Sequence, residues 1–131
     1  MGESLPRTKL SLRVFVMTTL SCMMNMVTGN MLLISPQHLA LASKVGLTCA
    51  GGFISVSLTT NRLMRSKYFL AGYVFAATTV VDFFSHASHF GNDYAEALST
   101  GLWAALLSLL GSFILDRKPH QIHDSVKANP V

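Results

Sequence analysis

The sequence predicts an all-α integral membrane protein, with four transmembrane helices arranged as two tandem helical hairpins. Three observations predict it. Half of the 131 residues are hydrophobic and only 12% are charged, about half the charge of an ordinary soluble domain. The hydrophobic residues fall into four blocks, each long enough to cross the ~30 Å hydrocarbon layer as a helix. The Lys and Arg residues gather in every second gap between the blocks.

The spans run over about 14–34, 39–58, 68–84 and 95–115, giving a transmembrane domain at 14–115 between a basic segment at 1–13 and a polar tail at 116–131. In lipid every backbone N–H and C=O must be paired inside its own segment, so each crossing is a helix. A soluble bundle of such helices would carry charge along one face. Here the first block has none, and the others have one each: Lys44, Asp82 and Glu96. The first block exceeds the roughly 7–15-residue core of a secretory signal and reads as a retained span. Pro6 stands where a myristoylation signal needs Ser or Thr. Cys22 and Cys49 lie within spans, form no CxxC pair, and read as free thiols.

Charge sets the orientation. Arg7, Lys9 and Arg13 precede the first span, Arg62, Arg65 and Lys67 fill the second gap, and Arg117, Lys118 and Lys127 follow the last. The first and third gaps contain no Lys or Arg. Basic residues near span ends stay cytoplasmic, so both termini are expected on the cytoplasmic side. The net charge of +4 is then a cuff beside the lipid headgroups and implies no nucleic acid.

A parallel internal repeat is expected from a second pattern. Ala40, Ala42, Gly46, Leu47, Ala50, Ser57 and Arg62 recur 55 positions later as Ala95, Ala97, Gly101, Leu102, Ala105, Ser112 and Arg117. Each copy would be one hairpin, related to the other by an axis along the membrane normal. Within the pattern, Ala42, Gly46 and Ala50, and again Ala97, Gly101 and Ala105, step by four. Such a ladder leaves a groove in which another helix backbone can lie close. The expected occupant is the other ladder, the second span on the fourth within one chain; the alternative is a seam between copies.

Polar residues inside the blocks are the candidate functional groups. In the first span Thr18, Ser21, Asn25 and Thr28 share one face. They either hydrogen-bond to neighbouring helices or line water. The five methionines around them scatter over the helix, which suits adaptable packing rather than a copper path. Lys44 is an intramembrane charge that snorkels or pairs with an acid, and Asp82 is the nearest acid by depth. Asp82, His86 and His89 follow i, i+4, i+7 spacing, with Asp93 and Glu96 just beyond. Imidazole with carboxylate suits a proton relay or a divalent, Zn-like metal, although no complete metalloenzyme signature occurs. Tyr68 and Tyr73 are expected at one membrane interface, Phe90 and Tyr94 at the other.

No nucleophile–base pair or phosphate loop can be assembled, so no enzyme is expected. The leading expectation is an oligomeric channel or pore lined by the polar face of the first span. Its partners are the bilayer and further copies of itself, because four short spans enclose too little volume for a path of their own. Phage holins belong to this class of size and composition, and no residue motif carries the comparison further. One alternative is a small proton- or metal-cation transporter built on the Asp/His site at the non-cytoplasmic face. Another is a non-catalytic accessory subunit of a larger membrane complex.

Overall fold

The computed structural model describes residues 7–28, 35–60, 66–85 and 93–116, with the backbone alone at Thr28 and Asp93. These residues form four α-helices: α1 (Arg7–Thr28), α2 (Pro36–Thr59), α3 (Lys67–Ser85) and α4 (Asp93–Leu115). All four are long and apolar enough to cross a membrane, which makes the chain a small multi-pass membrane protein by length and composition.

The helix ends differ from the expected spans where local chemistry intervenes. α1 begins at Arg7, so the basic stretch up to Arg13 is its first two turns rather than a separate segment. Arg, Lys and Leu are good helix formers, and long cationic side chains reach from a helix end to the headgroups. Residues 29–34, the end of the expected first span, lie outside the described residues. α2 begins at Pro36, inside the stretch read as a loop. Ser35 caps it, its hydroxyl accepting from the His38 N–H at 3.3 Å. Pro36 follows at the first helical position, where no N–H is needed. At the other end the Thr60 N–H and hydroxyl both donate to the Val56 carbonyl, at 3.0 and 2.8 Å.

Consecutive helices pack antiparallel, and α1 also packs on α4, which closes a four-helix bundle. The most extensive contacts lie within the pairs α1–α2 and α3–α4. α1 and α3 touch across the centre, while α2 and α4 occupy opposite corners.

That arrangement corrects the expected pairing of the two ladders. Gly46 of α2 lies against Phe15 and Thr19 of α1, and Gly101 of α4 lies against Phe75 and Thr79 of α3. A Cβ added at Gly46 would stand 3.0 Å from the Phe15 carbonyl oxygen and press on the Thr19 hydroxyl. At Gly101 it would stand 2.9 Å from the Phe75 oxygen and press on the Thr79 hydroxyl. Each ladder therefore seats its helix on the preceding helix of the same hairpin. A short connection places sequence neighbours side by side, whereas any contact between α2 and α4 is marginal among the described residues. The Thr19 and Thr79 hydroxyls are buried without a hydrogen-bond partner among the described residues. Each lies in the space that a side chain at the facing glycine would fill. Ala42, Gly46, Ala50, Ala97 and Gly101 are buried, but Ala105 is only half-buried and Ala104 takes the interior position. Eight residues on from Ala97 the helix has turned about 80° past the contact line, and seven residues on only about 20° short of it.

Polar contacts fix the bundle at its basic end. Arg13 and Asp116 pair at 3.2 Å, joining α1 to the end of α4. The Lys67 ammonium lies 3.8 Å from the Phe113 ring centroid. The Ser11 hydroxyl donates to the Ala50 carbonyl at 3.4 Å. The Tyr73 hydroxyl donates to the Cys49 carbonyl at 2.9 Å, and its ring meets Phe53 edge-on. Gly52 makes room for that hydroxyl, since a Cβ there would stand 2.8 Å from it. Tyr73 is thus a packing residue and not the interface anchor expected of it. Tyr68 and Tyr94 remain exposed, and Phe90 lies outside the described residues.

The two glycine contacts generate a prediction. Gly46→Val and Gly101→Val should each destabilise the bundle by about 1–3 kcal/mol, the usual cost of overpacking. Gly72→Ala should cost nothing, because a Cβ there meets nothing within 4 Å. Reversible unfolding in mixed micelles, followed by circular dichroism, measures all three.

Candidate functional site

The polar face of α1 points into the bundle. Thr18 and Ser21 are fully buried, both at 0% exposure. In an α-helix a hydroxyl can satisfy itself on the preceding turn. Accordingly Thr18 donates to the Val14 carbonyl and Ser21 to the Thr18 carbonyl, both at 2.7 Å. Asn25 reaches across to α4. Its amide nitrogen donates to the Thr100 hydroxyl at 3.0 Å and to the Glu96 carbonyl at 3.3 Å, and its oxygen accepts from the Ser99 hydroxyl at 2.9 Å. Of the two roles open to this face, the structure puts Asn25 in interhelical bonding and leaves neither Thr18 nor Ser21 facing outward. The Thr28 side chain lies outside the described residues.

Asp82 is 6% exposed, on the inner face of α3. The Cys22 thiol of α1 donates to its Oδ1 at 3.8 Å. Both cysteines are free and buried, as the sequence implied. Of the two fates open to Lys44, pairing with Asp82 does not occur, because the carboxylate faces inward and Lys44 is exposed on the outside of α2. Glu96 is half-buried at the start of α4. His86, His89 and the Asp93 side chain lie outside the described residues, and with them most of the Asp/His constellation. Among the described residues no group of three or more His, Cys, Asp or Glu side chains is placed to hold a metal ion.

The outer surface carries the feature that sequence reasoning missed. Beyond its first two turns α1 turns Val16, Leu20 and Val27 outward, α3 turns Ala76, Val80 and Phe84, and α4 turns Leu98, Leu102, Leu106 and Leu110. Those faces suit lipid. α2 differs: beside exposed Leu47, Ile54 and Leu58 it also turns out Lys44, Thr48, Gly51, Ser55 and Thr59, at 4-3-4-4 spacing. Thr48 donates to the Lys44 carbonyl at 2.9 Å and Ser55 to the Gly51 carbonyl at 3.2 Å. Those bonds use the hydroxyl hydrogens and leave oxygen lone pairs facing out. Gly51 leaves a notch between them, with nothing within 4 Å of an added Cβ. Lys44 lies about 12 Å along the helix at ~1.5 Å per residue, inside a ~30 Å hydrocarbon layer. Among the described residues no acid pairs with it. The spacing was present in the second block, but the Ala42–Gly46–Ala50 ladder there drew the reading to the opposite face of the helix.

No protein-family model matches the chain, and no curated protein or solved structure matches it either.

The Asn25 network generates a prediction. Asn25→Leu leaves the Ser99 and Thr100 hydroxyls without their partner on α1. Interhelical hydrogen bonds in membrane proteins average about 0.6 kcal/mol and reach about 1.7. Asn25→Leu should therefore unfold at a lower denaturant mole fraction, by about 0.5–2 kcal/mol, and Asn25→Gln should recover part of the loss.

Proposed function

We propose that the protein is an oligomeric membrane channel in which several copies turn the outer face of α2 toward a shared aqueous path. One observation carries this reading: Lys44, Thr48, Ser55 and Thr59, with Gly51 between them, form a stripe of exposed polar positions within the middle and later turns of α2, where the corresponding outward turns of α1, α3 and α4 are apolar. Back-bonded hydroxyls are tolerable in lipid, but an ammonium within a span is costly there unless it snorkels to the interface or meets water. Grouping α2 faces around water removes that cost. The lining therefore moves from α1, where the sequence pattern suggested it, to α2.

The finer topology belongs to the same proposal. Both termini lie on the cytoplasmic side, where the Lys and Arg residues gather, so Lys44 is nearer the opposite side. The two hairpins are copies of one unit. Besides the likeness of α2 to α4, Val14-Phe15 and Thr18-Thr19 recur 60 positions later as Val74-Phe75 and Thr78-Thr79. The recurring Phe and Thr are the residues that receive Gly46 and Gly101. The copies have diverged outward: where α2 has Lys44, Gly51 and Ser55, α4 has Ser99, Leu106 and Leu110.

Reconstitution into liposomes tests the proposal. Release of a trapped small ion should rise more steeply than linearly with protein-to-lipid ratio. The double variant Thr48→Leu, Ser55→Leu should abolish release with its helix content intact, whereas Asn25→Leu should still leak. Release unaffected by the α2 double variant would sink the proposal. Sealed liposomes showing saturable cation uptake, lost in Asp82→Asn, would favour the transporter reading instead. Sealed liposomes together with isolation only in a larger complex would favour the subunit reading.

A further inference from the structure

We infer that the path is selective for small anions and that Lys44 is the residue that selects them. The inference rests on the channel reading above and names what passes.

The stripe is asymmetric in charge. Lys44 is a cation, and the other four positions are uncharged: Thr48, Gly51, Ser55 and Thr59. No acidic residue lies on the outer face of α2; Asp82 is inside the bundle and Glu96 is half-buried on α4. Copies related by rotation about the path would place one Lys44 each at a single depth. A ring of ammonium groups in a low-dielectric wall attracts anions and repels cations, the arrangement that anion pores use. Long-range screening is weak in a narrow path, so one ring dominates. The hydroxyls below it suit an anion as well, because rotating about the Cβ–O bond turns their hydrogens from the carbonyl of the preceding turn toward the path.

The basic flanks are a competing source of selectivity. Arg62, Arg65 and Lys67 lie beyond the end of α2, at the opposite end of the helix from Lys44. They would enrich anions at the mouth of any path, so the experiment separates ring from mouth.

The test is the reversal potential of reconstituted protein in planar bilayers of zwitterionic phosphatidylcholine under a tenfold KCl gradient. The wild-type current should reverse on the chloride side. Lys44→Arg should keep that sign. Lys44→Gln should cut the chloride-to-potassium permeability ratio severalfold, and Lys44→Glu should move reversal to the potassium side. Lys44 is exposed, so these variants leave the packed interior untouched, and circular dichroism checks that they fold. Wild-type reversal on the potassium side would overturn the inference. So would a reversal unchanged in Lys44→Glu but shifted by neutralising Arg62 and Arg65. In both cases a conducting protein would leave the channel reading standing. Absence of any current from folded wild-type protein would instead remove the channel reading, and the inference with it.

Discussion

Close contact at two glycines sets the geometry on which everything else rests. Lipid tails are as apolar as leucine, so helices in a bilayer gain little from hiding apolar surface from one another. They associate where backbones can come close and where polar groups can meet. Gly46 on Phe15–Thr19 and Gly101 on Phe75–Thr79 provide the first condition, one contact in each hairpin. Asn25 with Ser99 and Thr100, and Tyr73 with Cys49, provide the second between hairpins. Once those contacts form, the rotation of every helix about its axis is fixed. Which residues face lipid then follows.

The rotation sorts hydrophilic side chains into two populations. Thr18, Ser21, Asn25, Asp82 and Thr100 turn inward or between helices, where the bundle supplies partners or the hydroxyls bond back along their own helix. Lys44, Thr48, Ser55 and Thr59 turn outward, where the hydroxyls bond back to their own helix and Lys44 has no acidic partner among the described residues. The first population accounts for stability and packing specificity. The second is the unsolved part of the monomer, since a cation inside hydrocarbon is the least tolerable group on its surface. Assembly around α2 resolves it, and the same step supplies a path and a charge at that path.

The four spans were legible because hydrophobic block length responds directly to bilayer thickness, and nothing competes with that signal over twenty residues. Start points were less legible. Ser35 and Pro36 read as loop residues until one sees them cap α2, and Arg7–Arg13 read as a flank although long side chains let charge ride on the first turns of α1. The packing role of Gly46 and Gly101 could be read from spacing, but their partners could not. A small-residue ladder says that some helix comes close, and connectivity decides which. The polar face of α1 was legible as a face, but not in its direction, for a related reason. Spacing shows that Thr18, Ser21 and Asn25 share a face, whereas its direction depends on contacts made by the other three helices. The same dependence hid the stripe on α2.

The most direct test is the solvent seen by the outward face of α2. Nitroxide labels at positions 48, 55 and, as a lipid-facing reference, 106 can be placed one at a time in the reconstituted protein. Collision rates with oxygen, which partitions into lipid, and with a water-soluble nickel chelate then report the surroundings of each. Labels at 48 and 55 should collide readily with the chelate, while the label at 106 meets oxygen alone. Identical, oxygen-dominated collisions at all three positions would mean that α2 faces lipid, and would contradict the account.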